Sequence, residues 1–236
     1  MDPDLRALIT GSSRGIGLAI TEKLAASGYE VILNYAHDDE RAEEAVHRLS
    51  STGVQASAIR ADVTDEEDVH RLFSSAGPIG LLVNNVGDFL FRPLLATTKQ
   101  EWDRIIASNL TSTFLCCREV IPAMRKRQSG RIINIASMNA EAVRPTPNTL
   151  PYAIAKAGIV RLTKTLARTE GRFGIRVNAV APGFVEGSEH TPPEVTERIP
   201  LRRLARPEEI ADAVLFLERA SYVTGVVLDV HGGAFL

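Results

Sequence analysis

Tyr152 and Lys156 stand four residues apart, the spacing that puts two side chains on one face of a helix. Those residue types at that spacing suit proton transfer. A free tyrosine, with a pKa of about 10, is a poor proton carrier at neutral pH. A neighbouring ammonium favours the phenolate and draws that pKa down. Ser137 lies just past an apolar run, fifteen residues before Tyr152. Its hydroxyl can hydrogen-bond an oxygen on which negative charge develops. Each feature also has an ordinary reading. Tyr–Lys pairs arise by chance on surface helices, and serines are common in strand-end turns. The setting must decide.

That setting is glycine-rich. Gly11, Ser13, Arg14, Gly15, Ile16 and Gly17 lie in Thr10–Gly17, between an apolar run and a helical pattern. Glycines there allow a tight turn and let a diphosphate approach the backbone, while a helix N-terminus offers N–H groups to the anion. The spacing is Gly-x-x-x-Gly-x-Gly, not the commoner Gly-x-Gly-x-x-Gly. A dinucleotide site reads the adenosine ribose at the end of the second strand, where an acid suits NAD and neutral or basic groups suit the phosphate of NADP. Here the chain reads Asn34-Tyr35-Ala36-His37, with Arg14 available from the glycine loop. This favours NADP(H) over NAD(H). Asp38 and Asp39 keep NAD open, unless they cap the next helix. Asp62-Val63 closes a third strand, and Asn84-Asn85-Val86-Gly87 follows a fourth.

Strand-length apolar runs alternate with helical patterns from end to end. Strands are predicted at 5–10, 30–34, 55–61, 81–84, 132–136, 176–181 and 226–230. Helices are predicted at 15–27, 39–51, 64–75, 98–127, 152–172 and from Pro207. The third opens with a Thr64–Glu67 capping box, and the fourth is bent at Pro122. The segment 182–200 reads as a loop with one helical turn. Alternation of this kind implies right-handed βαβ units, hence an α/β single-domain Rossmann fold. The expected architecture is a doubly wound, mostly parallel seven-stranded sheet with helices on both faces, spanning residues 1–236. Ligands bind such sheets beyond the carboxyl ends of the strands, at the topological switch point, and the residues above fall at those ends.

The 236 residues are 44% apolar and 24% charged, ordinary for a chain with a core. A net charge of −2 with no basic stripe excludes nucleic acid as an expected partner. Arg125-Lys126-Arg127 falls at a predicted helix end, where the helix dipole explains it. No apolar run approaches membrane-spanning length, and the acidic N-terminus does not resemble a signal peptide. Cys116 and Cys117 are adjacent, too close to pair with each other, and read as reduced core residues of a cytoplasmic protein. The five histidines lack ligand spacing, so no metal is expected.

Thr-Gly-x-x-x-Gly-x-Gly near the N-terminus, Asp62, Asn-Asn-x-Gly, Asn109, Ser137, Tyr152, Lys156 and Pro182-Gly183 form one ordered set. The set resembles the short-chain dehydrogenase/reductase family over essentially the whole chain, and within it the NADPH-dependent 3-oxoacyl-carrier-protein reductases. The resemblance implies hydride transfer between a nicotinamide dinucleotide and a carbonyl or alcohol. Ser137 would polarise the carbonyl, Tyr152 would act as general acid, and Lys156 would hold the nicotinamide ribose and tune Tyr152. Asn109 would bend its helix and support a proton relay through water. Asp62 would contact the adenine, with Val63, Asn85, Val86, Gly87, Pro182, Gly183 and Val185 also at the cofactor. The implied substrate is a small-molecule ketone or 3-oxoacyl carbonyl, free or carrier-linked. The implied assembly is a homotetramer or homodimer packed through 98–127 and 152–172.

Departures from the family pattern are Val86, Gly80, His231 and a longer Ser137–Tyr152 connection carrying Arg144–Pro151. A turn role suits His231 better than catalysis. Residues 184–203 are expected to form a substrate lid, with Glu186, Glu189, His190, Glu194 and Pro192-Pro193. Arg202, Arg203 and Arg206 suit either an acidic carrier or plain surface charge. The competing readings are an NAD-linked alcohol dehydrogenase working oxidatively and a non-catalytic dinucleotide-binding sensor or scaffold.

Overall fold

The computed structural model describes residues 3–142, 145–188, 191 and 194–234. Among them, seven strands form one parallel sheet: β1 (Arg6–Ile9), β2 (Glu30–Tyr35), β3 (Ala56–Arg60), β4 (Leu81–Asn84), β5 (Gly130–Ile135), β6 (Ile175–Pro182) and β7 (Val227–Val230). Their order is β3-β2-β1-β4-β5-β6-β7, every neighbouring pair parallel. The chain therefore reverses its winding between β1 and β4. That reversal leaves a crevice where the glycine loop after β1 faces the loop after β4.

Alternation along each strand feeds two cores. Ala7 and Ile9 of β1, Val31 and Leu33 of β2, and Leu81 and Val83 of β4 face one side. There α1 (Gly15–Ala26), α2 (Asp39–Ser50) and α7 (Pro207–Arg219) supply Ile20, Leu24, Leu49, Ile210 and Val214. Leu8, Ile32 and Leu82 face the other side. They meet Val69 and Leu72 of α3 (Glu66–Ala76) and Cys116, Val120 and Met124 of α5 (Ser112–Arg127). On that face α6 (Leu150–Glu170) lays Ile159 and Val160 against Ala179 and Ala181 of β6. Both cysteines are buried and free, and burial pushes the Cys117 thiol up to about 12. Among the described residues, no helix is long and apolar enough to cross a membrane.

Several boundaries differ from the sequence expectation for local reasons. The cap of α3 is Asp65, whose carboxylate accepts the Asp68 N–H at 2.9 Å, so the Thr64 capping box does not form. Thr64 instead donates its hydroxyl to Asp62. The long helix predicted over 98–127 is α4 (Lys99–Ile106), a π turn (Ala107–Thr111) and α5. Its irregularity lies at Asn109, while α5 runs on through Pro122. Pro122 and Arg118, four residues earlier, are both exposed, so the carbonyl that Pro122 leaves without a donor lies on the solvent side. The helix predicted from Tyr152 begins at Leu150, with Pro151 in its first turn, where a missing N–H costs nothing. It ends at Glu170, and Pro182 closes β6 instead of opening a loop.

Candidate active site

The glycine loop is built by contacts that leave room for no side chain at Gly11 and Gly17. Gly11 and Gly15 adopt φ of 60° and 56°. A Cβ on Gly17 would collide with the Gly11 carbonyl and lie 2.7 Å from Asn85 Nδ2. Asn85 Nδ2 donates to the Thr10 and Gly11 carbonyls at 3.1 and 3.0 Å, and the Asn85 N–H donates to Thr10 Oγ1 at 2.9 Å. Thus the Asn85 side chain holds the loop itself. Val86 packs where a Cβ on Gly11 would go, at 2.8 Å. Around Gly15, by contrast, a Cβ would meet nothing within 4 Å. The N-terminus of α1 has no side-chain cap and no acid in its first turn. The N–H groups at Gly15, Ile16 and Gly17, beside partly buried Ser13 and exposed Arg14, therefore suit a diphosphate. This cradle fits a dinucleotide.

At the end of β2, Asn34 is buried and turned inward. Its Nδ2 donates to the Ala61 carbonyl at 2.9 Å, and its Oδ1 accepts the Gly11 N–H at 3.4 Å. The Asn34 side chain thus ties β2, β3 and the glycine loop together, leaving Tyr35, Ala36 and exposed His37 at the surface of the crevice. Asp62 is exposed after β3, and its Oδ1 accepts the Thr64 N–H at 2.9 Å. The Val63 side chain sits in the core. So does that of Val185, whose backbone bridges to Ala205.

The catalytic set converges from three elements. Ser137 follows β5, its neighbours pinned by Ala136 N–H to the Val180 carbonyl (2.8 Å) and Met138 N–H to the Pro182 carbonyl (3.0 Å). Tyr152 and Lys156 rise from the first turns of α6. The Ser137 hydroxyl is in hydrogen-bonding reach of the Tyr152 phenol and favours its ionised form, while burial raises the phenol's pKa and prevails. Lys156 is itself buried, and desolvation lowers its pKa to about 7. Its Nζ donates to the Ile135 carbonyl at 2.8 Å and lies 5.5 Å from the Tyr152 ring centre.

Asn109 is buried in the π turn. Its Nδ2 donates to the Asp88 and Ile105 carbonyls at 2.9 and 3.0 Å, while its Oδ1 is buried with no hydrogen-bond partner. A Cβ on Gly87 would collide with that Oδ1 and lie 3.3 Å from Lys156 Nζ. Gly87 therefore lets the β4 loop pass between Asn109 and Lys156. Gly183 is equally confined: a Cβ there would lie 2.7 Å from His231 Cα. His231 stands in the turn after β7, where its Nδ1 accepts the Gly233 N–H at 3.2 Å.

Ser137, Tyr152 and Lys156 line one cavity of about 1170 Å³. Phe89, Met138, Leu150 and Phe184 make much of its wall apolar, and Pro145 and Thr146 of the longer loop border it. Arg144, Glu189, His190, Pro192 and Pro193 lie outside the described residues. Arg203 is held bidentately by Glu209 at 2.7 Å and Arg202 by the Glu197 carbonyl, so both serve local structure.

Sequence reasoning missed Phe89, whose ring meets Tyr152 edge-on at 5.0 Å between centres. It also missed Asn134. Asn84 Nδ2 donates to Asn134 Oδ1 (2.8 Å), and Asn134 Nδ2 donates to Thr163 Oγ1 (2.9 Å). This buried chain locks α6, and so Tyr152 and Lys156, to the sheet. The signal was the asparagine inside an apolar strand.

The family model described as "Enoyl-(Acyl carrier protein) reductase" matches residues 11–234. The chain belongs to the short-chain dehydrogenase/reductase family. It is 38% identical to the 3-oxoacyl-(acyl-carrier-protein) reductase FabG of Staphylococcus epidermidis, over 98% of each chain. It is 39% identical to 3beta-hydroxysteroid dehydrogenase 1 of Eggerthella lenta, over 97% of this chain and 93% of that one. Among solved structures, an actinorhodin polyketide ketoreductase with NADPH superimposes with a TM-score of 0.90 at 31% identity, covering 97% of this chain and 96% of that one. As a member of the short-chain dehydrogenase/reductase family, the protein is an NAD(P)-dependent oxidoreductase.

Proposed function

We propose that the protein reduces a ketone, of 3-oxoacyl type, with NADPH. The observation that carries the reading is the convergence of Ser137, Tyr152 and Lys156 on one apolar cavity at the carboxyl ends of the strands. NADPH, when bound, supplies the hydride. Ser137 hydrogen-bonds the substrate oxygen, and Tyr152 delivers the proton to it. Lys156 contributes a positive charge beside the phenol whenever it is protonated, which makes the phenolate left by proton transfer easier to form. The orphaned Asn109 Oδ1 suits a water that carries a replacement proton toward Lys156. The apolar wall suits an acyl chain or an alicyclic ketone more than a polyol.

The oxidative NAD-linked reading needs an acid at the end of β2 to hold the ribose. Of the two candidates, Asp38 caps α2 and accepts the Arg41 N–H at 3.2 Å, and Asp39 has the cation of Arg60 beside it at 3.5 Å, which offsets its charge against a phosphate there. That supports NADPH. We also infer one catalytic unit with 184–203 as its lid. Homo-oligomeric packing through α5 and α6 is supported by exposed Phe114 and Ile154, and a monomer in sedimentation at micromolar concentration would sink that part. Buried free thiols are in keeping with the cytoplasm. The test of function is fluorescence titration with NADPH and NADH, followed by turnover of 3-oxoacyl thioesters and bulky ketones. Preference for NADH with oxidation of alcohols would replace this reading by the oxidative one.

A further inference from the structure

Parallel pairing of β2 with β3 sets Tyr35 opposite Arg60, so the last residue of β3 stands beside the loop that leaves β2. Arg60 Nε donates to the Ala36 carbonyl at 3.3 Å. Its Nη1 lies 3.5 Å from Asp39 Oδ2, and both side chains are more than half exposed. The Tyr35 phenol, whose pKa burial and Asp39 together raise, stands beside the same carboxylate. The other acid of the loop, Asp38, sits at φ 74° with its carboxylate on the Arg41 N–H and 3.1 Å from Arg41 Nε. Each acid after β2 is therefore paired with an arginine, and one of those arginines comes from the neighbouring strand.

The place matters. The end of β2 is where a dinucleotide's adenosine ribose is read, and the glycine loop abuts it, the Ser12 N–H donating to the Asn34 carbonyl at 3.0 Å. An arginine has five N–H donors in a planar fork that matches phosphate oxygens. Arg60 lays that fork along the backbone of Ala36 and uses a carboxylate as its present anion. An exposed pair of this kind is weakly held, so a dianionic phosphate displaces the carboxylate readily.

We propose that Arg60 is a specificity-determining residue that grips the ribose phosphate of NADPH together with Arg14, and that Asp39 is the internal anion it leaves to do so. The proposal rests on the NADPH reading above. Asp39 then has two effects. It keeps Arg60 poised over Ala36 in the free protein, and it competes with the phosphate, lowering affinity for NADPH below what the arginines alone would give. Arg60 makes no contribution to binding of NADH, which has no phosphate for it.

The test is calorimetric binding of NADPH, NADH, adenosine 2′,5′-bisphosphate and 5′-AMP to the full chain and to Arg60→Leu and Asp39→Asn. The wild type is expected to prefer the phosphate-bearing member of each pair. Arg60→Leu should weaken those two ligands about tenfold, the size of one charge-assisted hydrogen bond, and leave NADH and 5′-AMP unchanged. Asp39→Asn should tighten NADPH several-fold. A wild type with no preference overturns the NADPH reading and this proposal with it. A wild type that prefers NADPH, with Arg60→Leu retaining both that preference and the wild-type affinities, overturns the proposal alone. Equal weakening of all four ligands in Arg60→Leu leaves Asp39→Asn to decide, and unchanged NADPH affinity there overturns it.

Discussion

Replacing Lys156 by methionine should stabilise the free protein at neutral pH while removing its activity. Burial lowers the Lys156 pKa from 10.5 to about 7. The folded state thus disfavours the ammonium by roughly 5 kcal/mol relative to the unfolded chain. The penalty is fully present below pH 7, where both states carry the proton. Between about 7 and 10.5 the unfolded chain binds more protons than the folded one, so wild-type stability rises with pH, and above 10.5 the penalty is gone. Methionine fills similar space without charge. It loses the Nζ bond to the Ile135 carbonyl and leaves that acceptor unpaired, at about 1–3 kcal/mol. The net gain at pH 7 is about 2–4 kcal/mol, a rise in Tm of roughly 5–15 °C for a chain of this length. Near pH 10.5 the sign reverses, because only the lost hydrogen bond remains. The assay is urea or thermal unfolding of wild type and Lys156→Met, without dinucleotide, from pH 7 to 10.5. Turnover is measured in parallel and should fall by about a hundredfold or more. A variant less stable at pH 7, or a difference that stays constant with pH, would refute the reasoning.

Tyr152→Phe should reduce turnover by about a hundredfold or more while leaving NADPH affinity intact; undiminished turnover would remove Tyr152 from its role. The same variant identifies the phenol in an ultraviolet pH titration. Because burial prevails over Ser137, the absorbance step missing from Tyr152→Phe should lie above the ordinary tyrosine value of 10.0, and a step below it would contradict the site's electrostatics. Gly17→Ala should abolish dinucleotide binding and cost about 1–3 kcal/mol in chemical denaturation, since its Cβ meets Gly11 and Asn85; wild-type affinity would show that the loop yields. Asn109→Ala frees the Asp88 and Ile105 carbonyls, so it should lower stability by about 1–3 kcal/mol and slow turnover more than it weakens NADPH binding. Equal loss of both would point to a purely structural Asn109.

Local pattern was enough for the order of elements and for the parallel sheet, while the Ser137, Tyr152 and Lys156 set came from the ordered motifs and the family resemblance they carry. Strand alternation, helical spacing and strand-end glycines are set by neighbours within a few residues. Contacts between distant segments were not legible in that way. The π turn at Asn109 exists because its amide finds the Asp88 carbonyl across the site, a partner that no periodicity within 98–127 indicates. Asn34 was read from its neutral side chain at the end of β2, but which partners that side chain takes, the Ala61 carbonyl and the Gly11 N–H, depends on the pairing of β2 with β3 and on the glycine loop. Arg60 had no local signal; its position beside Ala36 follows from the pairing of β2 with β3. The fall in the Lys156 pKa likewise needed the closed interior, because desolvation depends on everything packed around a charge and not on its sequence neighbours. Sequence by itself therefore determined which residues could do the chemistry. Tertiary structure decided which of them face the crevice, which hold the scaffold, and how the charges there are weighted.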